Sequence, residues 1–400
     1  MNVISASGGL VHTVKITGYS SGGEGIARLS DGRVVFVHRA AKDDLLEIAI
    51  TKEQQRSAHA EIINILSPSK QRIVPDCRFY LKCGGCDFRH ITYEEELESK
   101  LKRVNDALSR IGGISAQVSE ILHTGQIDGY RNKAVFHFDG DAIGFYHAKS
   151  HRVVPISYCK LLPDDINSAL KSLTAAMATA SDMTNIADLS GIDCIAEMTG
   201  SASKASKDEV TIRSGRNGLK LPLEEELDGL VFRISGFFQV NTEAALLLYN
   251  KVREYASLKK SESLLDLYCG VGTLTIFVGR DAGYALGVEK NSAAVKTARE
   301  NAAQNGMSHV EFIASDAGSP TMGFKNPDCI IVDPPRKGLS GSVIDMLLEL
   351  SPSRIVYVSC DPATLARDIH ALKGFCVKDI CAVDMFPRTA NVECCCVLTK

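Results

Sequence analysis

Residues 263–276 read SLLDLYCGVGTLTI: a short apolar run, a turn holding Gly270 and Gly272, and the start of a helix. Glycines placed directly after a strand and before a helix let the backbone approach a bound ligand, as in the crevices of open α/β sheets. The third glycine of the dinucleotide fingerprint is missing, and Thr275 stands in its place. That counts against a nicotinamide oxidoreductase and suits a ligand without a pyrophosphate. Outward from this turn, apolar runs alternate with helical segments: YALGVE (284–289), NSAAVKTARENAAQNG (291–306), HVEFIA (309–314), DCIIVD (328–333), RIVYVSC (354–360) and ATLARDIHALKG (363–374). Such alternation implies βαβ units and a mostly parallel sheet covered on both faces, an α/β fold of Rossmann-like type. The runs CVKDICAVDMF (376–386) and VECCCVLT (392–399) have no helix between them and are expected to pair as a final antiparallel hairpin.

Ligands bind at the carboxyl ends of the strands in such sheets. Glu289 closes its strand about 20 positions after the glycine turn, where an acid accepts hydrogen bonds from ribose hydroxyls. Asp316 and Asp333 also follow strands. Asp316 reads equally as a helix cap, whereas Asp333 opens DPPRKG, whose two prolines make a rigid loop suited to shaping a pocket. Cys360 follows the next strand and precedes a helix, so its thiolate would face backbone N–H groups, which predicts a lowered pKa. The plain alternative for Cys360 is a small packed side chain. Glu393 opens the last strand after a loop and reaches the same sheet edge, as a base for that thiol's chemistry or as a solvated edge residue.

The rest of the chain divides around this domain. Segments VHTVKITGYS, GRVVFVH, LLEIAI and AHAEIINIL, between Val11 and Leu66, alternate in the manner of a small antiparallel barrel. Residues 67–92 are loop-like, and YEEELESKLKRVNDALSRIGG (93–113) is helical with Gly112 and Gly113 as a stop. Strand-like pieces and one helix near Pro163–Met177 lie between Tyr130 and Phe238. The expected domains are therefore 1–66, 67–235 and 236–400.

Thirteen cysteines without a secretory leader indicate reduced thiols, some of them catalytic or metal-binding. Cys77, Cys83 and Cys86 follow a C-x5-C-x2-C pattern, and Cys159 stands 73 positions further on. Four thiolates suit either a [4Fe–4S] cluster or tetrahedral zinc, and spacing does not choose between them. Cys394, Cys395 and Cys396 have no ligand spacing and read as buried apolar residues. A net charge of −3 is nearly silent on partners, because a local basic face can hide in the total. The absence of a long apolar run points to a cytoplasmic protein outside the membrane, expected to be a monomer.

Taken together, CRFYLKCGGCDFRH, YRNKAVFHF, FFQVN, DLYCGVGTLTI, DPPRKG, SCDPATLARD and DMFPRTANVE resemble, in order, the bacterial 5-methyluridine RNA methyltransferases that carry an N-terminal, OB-like TRAM domain and an iron–sulfur cluster. The resemblance runs from about residue 10 to the C-terminus. It implies a [4Fe–4S] cluster on Cys77, Cys83, Cys86 and Cys159 within a central mixed α+β region. It also implies S-adenosylmethionine contacts from Gln239, Tyr268, Glu289 and Asp333, with Asp316 a further candidate, and it assigns Cys360 as nucleophile and Glu393 as base. Read from its residues alone, FFQVN is the start of a helix capped by Asn241. Carbon 5 of uracil is a poor nucleophile, so a thiolate must first add at carbon 6, and a base must later remove the carbon-5 proton. Arg336 is placed either to stabilise the enolate oxygen or to hold phosphate. The family modifies 23S ribosomal RNA or transfer RNA, and the CGGC segment favours the former. The segment VHRAAKDD (37–44) and residues 178–217 depart from the family pattern. Competing readings are a methyltransferase of exocyclic nitrogen, which gives Cys360 no task, and a non-catalytic RNA-binding relic.

Overall fold

The protein is represented by a computed structural model that describes residues 11–139, 142–179, 196–198, 209–215, 223–234, 237–319, 324 and 326–400. Most of the weakly patterned stretch 178–217 lies outside the described residues. The chain forms two units: one of residues up to Arg103 with Phe145–Val154 and Phe386–Asn391, the other of Val104–Gly144, Pro155–Met385 and Val392–Lys400.

In the first unit, strands β1 (Val11–Lys15), β2 (Gly18–Tyr19), β3 (Gly25–Arg28), β4 (Val34–Val37), β5 (Leu45–Glu53) and β6 (Ser57–Ser67) form a sheet in the order β1-β5-β6-β4-β3-β2. Alternation along the strands turns Val14, Ala27, Val35, Val37, Leu46, Ile48, Ala58 and Ala60 into one core, as a period of two requires. One pairing departs from the all-antiparallel expectation, because β4 and β6 run parallel from Val34↔Ser57 to Val37↔Ala60. Residues 38–44 carry the chain past the position β6 will take, so the β5–β6 hairpin brings β6 back in the direction of β4. That crossing is anchored by the fully buried Asp44, which accepts from Ala41 N at 2.7 Å, Ser69 N at 2.8 Å and Arg72 Nε at 3.1 Å. Helix α1 (Tyr93–Ala107) runs into a π-turn at Leu108–Gly112, and Gly113 ends it at φ 63°, with its N–H donating to Leu108 O.

The chain continues through β7 (Ile121–Leu122), β8 (Lys133–Asp139), β9 (Ala142–Tyr146), β10 (Val153–Pro155), α2 (Asp164–Thr179), β11 (Ala196–Met198), β12 (Glu209–Arg213), β13 (Glu224–Leu227) and β14 (Leu230–Arg233). β8 is flanked by β9 and β12, both antiparallel to it. Then come α3 (Thr242–Ala256), β15 (Ser263–Leu267), α4 (Thr273–Gly279), β16 (Tyr284–Glu289), α5 (Ser292–Gln304), β17 (Val310–Ala314), β18 (Cys329–Val332), α6 (Gly341–Leu350), β19 (Arg354–Ser359), α7 (Pro362–Ala371), β20 (Cys376–Val383) and β21 (Glu393–Thr399), whose seven strands build an eight-stranded sheet with β7. Its order is β17-β16-β15-β18-β19-β21-β20-β7, parallel from β17 to β19. β20 and β21 form the expected antiparallel pair. The chain goes one way from β15 to β17 and returns to the other side of β15 at β18. This reversal opens a crevice at the carboxyl ends of β15 and β18. All four residues of β18 are buried, as are Leu264, Leu265 and Leu267 of β15, so both faces of the sheet are covered.

Candidate active site

The glycine turn is shaped as its sequence requires. Gly270 and Gly272 have φ of 55° and 82°, and a Cβ at Gly272 would lie 2.6 Å from Phe312 Cζ and 2.9 Å from Ala298 Cβ. Tyr268 also adopts the left-handed region, at φ 68°, held by its N–H donating to Val288 O at 2.9 Å. Glu289 ties the turn to the next helix: Gly270 N donates to Oε2 at 3.2 Å and Asn291 N to Oε1 at 2.8 Å. Asp316 is exposed, and its carboxylate accepts from Gly318 N at 3.0 Å and Lys290 Nζ at 3.3 Å. These bonds hold its pKa below the usual carboxylate value; they close a turn, and no described helix begins at Asp316, so the helix-cap expectation is not met.

Strand β15 itself carries an acid that was not among the expected site residues. Asp266 is buried mid-strand in β15, Thr275 donates to its Oδ2 at 2.5 Å, and Oδ1 has no partner. Burial, then the neighbouring charges of Asp333 and Glu289, push its pKa up to about 7. The signal was the acid itself: one carboxylate inside the otherwise apolar SLLDL. Thr275, absent from the glycine fingerprint, has the task of holding that acid. Burial likewise pushes Asp333 up to about 7.

Cys360 and Glu393 come together at the same edge. β19 and β21 are antiparallel neighbours, with Ser359 paired to Cys394, so the residue after one strand and the first residue of the other are side by side. Glu393 is 5% exposed, not a solvated edge residue, and Val383 pairs with it on its other flank. Its pKa is raised well above the usual value, by burial first and then by Asp333, against the positive charge of Arg336. The Cys360 thiol is half-buried, and its pKa is raised by burial first and then by Glu393. The expectation of a lowered thiol pKa is therefore overturned. Helix α7 does begin just beyond, but its first N–H groups, Ala363 and Thr364, are both taken by Asp361 Oδ1 at 2.9 Å. Arg336, exposed on the Asp333 loop, opposes the rise at both groups.

Gln239 is buried just ahead of α3, and Asn241 caps that helix, accepting from Ala244 N at 3.1 Å. Tyr249, on α3, has its hydroxyl pKa raised by burial and then by Asp333, Asp266 and Glu393, which places the helix beside the acids. Cys394, Cys395 and Cys396 are fully buried, as their apolar reading required.

Of the cluster cysteines, Cys77, Cys83 and Cys86 belong to the first unit and Cys159 to the second. The loop is tightly turned: Cys83 N donates to Phe79 O at 2.8 Å, and Gly85 N donates to Cys83 Sγ at 3.3 Å. Burial raises the Cys83 thiol's pKa, with Cys77 adding to the rise and Arg39 opposing it. Asn167 clamps the Cys159 backbone on both sides, at 2.8 and 3.1 Å. Among the described residues, no three His, Cys, Asp or Glu side chains are gathered as a metal-ion site. No described helix is long and apolar enough to cross a membrane.

Three family models match the chain: the TRAM domain over residues 9–63, the methyltransferase small domain over 240–354, and tRNA (uracil-5-)-methyltransferase over 321–400. An uncharacterized RNA methyltransferase of Clostridium tetani is 32% identical over 96% of this chain and 95% of its own. One from Gloeobacter violaceus is 32% identical over 97% and 96%. The crystal structure of the Pyrococcus abyssi tRNA (uracil-54, C5)-methyltransferase with S-adenosyl-L-homocysteine superposes with a TM-score of 0.75 at 25% identity, covering 97% of this chain and all of the other. Crossed-over sheet, strand-end acids and matched models define a methyltransferase of the S-adenosylmethionine-dependent fold, preceded by a TRAM domain. The chain belongs to the RNA uracil-5-methyltransferase family and is an RNA methyltransferase.

Proposed function

We propose that this enzyme methylates carbon 5 of a uridine in 23S ribosomal RNA, with Cys360 as nucleophile, Glu393 as base and S-adenosylmethionine as donor. The observation that carries the proposal is the pairing of a half-buried thiol with a buried carboxyl on adjacent strands, Ser359 against Cys394. Carbon-5 chemistry needs both groups, whereas methylation of an exocyclic nitrogen needs neither. The donor reading is supported by charge: Asp266, Asp333 and Glu393 are carboxyls whose pKa values burial raises, with Asp333 adding to the rise at both of the others, and a sulfonium's positive charge would offset that mutual repulsion. A bound sulfonium supplies an electrophilic methyl group and positive charge. Gln239, Tyr268, Glu289 and Asp333 are proposed to hold the donor, with Asp316 at the rim.

Cys360, as thiolate, forms a bond to carbon 6 of uracil, and the displaced electron pair makes an enolate whose carbon 5 takes the methyl group. Arg336 brings positive charge to this edge, the sign an enolate needs. Glu393, whose ionised form a bound donor's positive charge would favour, removes the carbon-5 proton. The carbon 6–sulfur bond then breaks and the 5,6 double bond returns.

The likeness to the Pyrococcus abyssi enzyme supports transfer RNA as a second reading. Incubation with 23S ribosomal RNA and with transfer RNA, followed by mass spectrometry of the nucleosides, decides between them. 5-Methyluridine in the first alone supports the proposal; in the second alone, the alternative. We propose further that Cys77, Cys83, Cys86 and Cys159 hold a [4Fe–4S] cluster, on the cysteine pattern and on the hydrogen bond to Cys83 Sγ, a contact that tunes cluster sulfurs. Anaerobic purification with iron, sulfide and zinc analysis tests it: stoichiometric zinc without sulfide overturns it. Action as a cytoplasmic monomer completes the proposal.

A further inference from the structure

The Gln239 segment has no strand or helix of its own, yet three successive main-chain carbonyls in it are held from outside. Arg213 Nη2, at the end of β12, donates to Phe238 O at 3.1 Å, and its guanidinium lies over the Phe238 ring, 5.8 Å from the centroid. Asn132, two residues into YRNKAVFHF and 8% exposed, takes the next two. Its side-chain amide donates to Gln239 O at 3.2 Å and its backbone N–H to Val240 O at 2.8 Å. The same amide meets Thr242 Oγ1 at 3.0 Å and Glu225 Oε1 at 3.3 Å, and the Asn132 carbonyl accepts from Ser214 N at 2.9 Å. Beyond the segment Asn241 starts α3 and donates from Nδ2 to Met385 O at 3.2 Å. The result is a short loop fixed at three successive carbonyls, with Phe237 75% exposed on its outer side and Phe238 3% exposed within.

We propose that Asn132 and Arg213 are positioning residues for methyl-donor binding: they fix the Phe238–Val240 backbone so that the Gln239 side chain is presented at one geometry. The inference rests on the proposed assignment of Gln239 to the donor. Neither residue touches donor or RNA in this account. Their effect is exerted through the loop, as outer hydrogen bonds orient inner ligands elsewhere. An unpinned loop pays the ordering entropy when the donor binds, so the loss falls on affinity and leaves the chemical step alone.

The test is calorimetric binding of S-adenosyl-L-homocysteine, with steady-state kinetics and thermal unfolding, on Asn132→Ala, Arg213→Lys, Gln239→Ala and the double variant Asn132→Ala/Gln239→Ala. Asn132→Ala is expected to raise Kd and the donor KM by about tenfold while kcat at saturating donor changes less than about threefold, and the double variant should bind no more weakly than Gln239→Ala by more than about twofold. Arg213→Lys carries the same expectation for Kd and KM and serves if Asn132→Ala does not fold. Unchanged affinity in both positioning variants, with Gln239→Ala impaired, overturns the proposal and leaves the donor assignment standing. Fully additive losses in the double variant also overturn it, since the two residues would then act independently. Unchanged affinity in Gln239→Ala removes the donor assignment itself, and the positioning role with it.

Discussion

Cys360 and Glu393 stand at the join of β19 and β21, where Ser359, immediately before the thiol, pairs with Cys394, immediately after the carboxyl. Antiparallel neighbours hold their side chains only a few ångströms apart, so the proposed nucleophile and base share one position in the sheet. Glu393→Gln keeps the shape and removes the base. We expect methylated adduct to accumulate while turnover falls by about 10²–10⁴. Gel analysis of the enzyme with its RNA reads this directly, and normal turnover without adduct would remove Glu393 from the base role.

The raised Cys360 pKa has a consequence for rate. Only the thiolate adds to uracil, so its fraction, and kcat/KM with it, should increase as pH rises from neutral into the alkaline range. Arg336 opposes the rise, so Arg336→Gln should move that limb to higher pH and slow the reaction at pH 7. A pH profile of single-turnover methylation measures both. A flat profile across that range would mean that thiolate formation does not limit addition.

Asp333 is about 7 in the folded protein against an ordinary value of 3.8. A carboxyl with a raised folded pKa binds its proton more tightly in the native state, so it favours folding below about pH 4. That contribution is lost as pH rises from about 4 to 7, by at most about 1.4 kcal/mol per pH unit, and is constant above. Asp333→Asn should therefore stabilise the ligand-free protein at pH 7.5 relative to wild type, with the gain shrinking toward pH 5. The same variant should bind donor more weakly, since a counter-charge is gone. Thermal midpoints at the two pH values, with and without S-adenosylmethionine, check the sign.

Gly272 meets two requirements at once, a φ of 82° and a gap too small for a Cβ beside Phe312 and Ala298. Gly272→Ala should destabilise the protein by about 2–4 kcal/mol, from left-handed strain and overpacking together. Chemical denaturation measures it. A loss below about 0.5 kcal/mol would mean that α4 shifts freely, contrary to its burial.

The strand-and-helix rhythm after Asn241 was legible because apolar runs buried on both faces leave few alternatives, and the residues following those runs were expected at one sheet edge. Cys360 and Glu393 were placed there by the same logic, and the pairing of β19 with β21 brings them side by side. The direction of the thiol's pKa was not, since it depends on how deeply Cys360 sits, on Glu393 beside it, and on Asp361 occupying the first N–H groups of α7. Asp266 passed unremarked because it is one acid inside an apolar strand, although that incongruity was itself readable. Asn132 gave no local sign: its partners Gln239 and Val240 lie over 100 positions away. The parallel pairing of β4 with β6 was hidden for a related reason, because strand alternation gives the face each residue occupies and not the direction of its neighbour.

The central claim is carbon-5 chemistry through Cys360, and the most direct measurement is a covalent trap: the enzyme and labelled methyl donor on 23S ribosomal RNA, and separately on transfer RNA, each containing 5-fluorouracil. Fluorine at carbon 5 cannot leave as a proton does, so the methylated adduct persists through denaturing electrophoresis. Addition by Cys360 should give a labelled protein–RNA band that disappears in Cys360→Ala while that variant still binds S-adenosyl-L-homocysteine. A band of equal strength in Cys360→Ala, or none with either RNA from an enzyme active on the unsubstituted substrate, would contradict it.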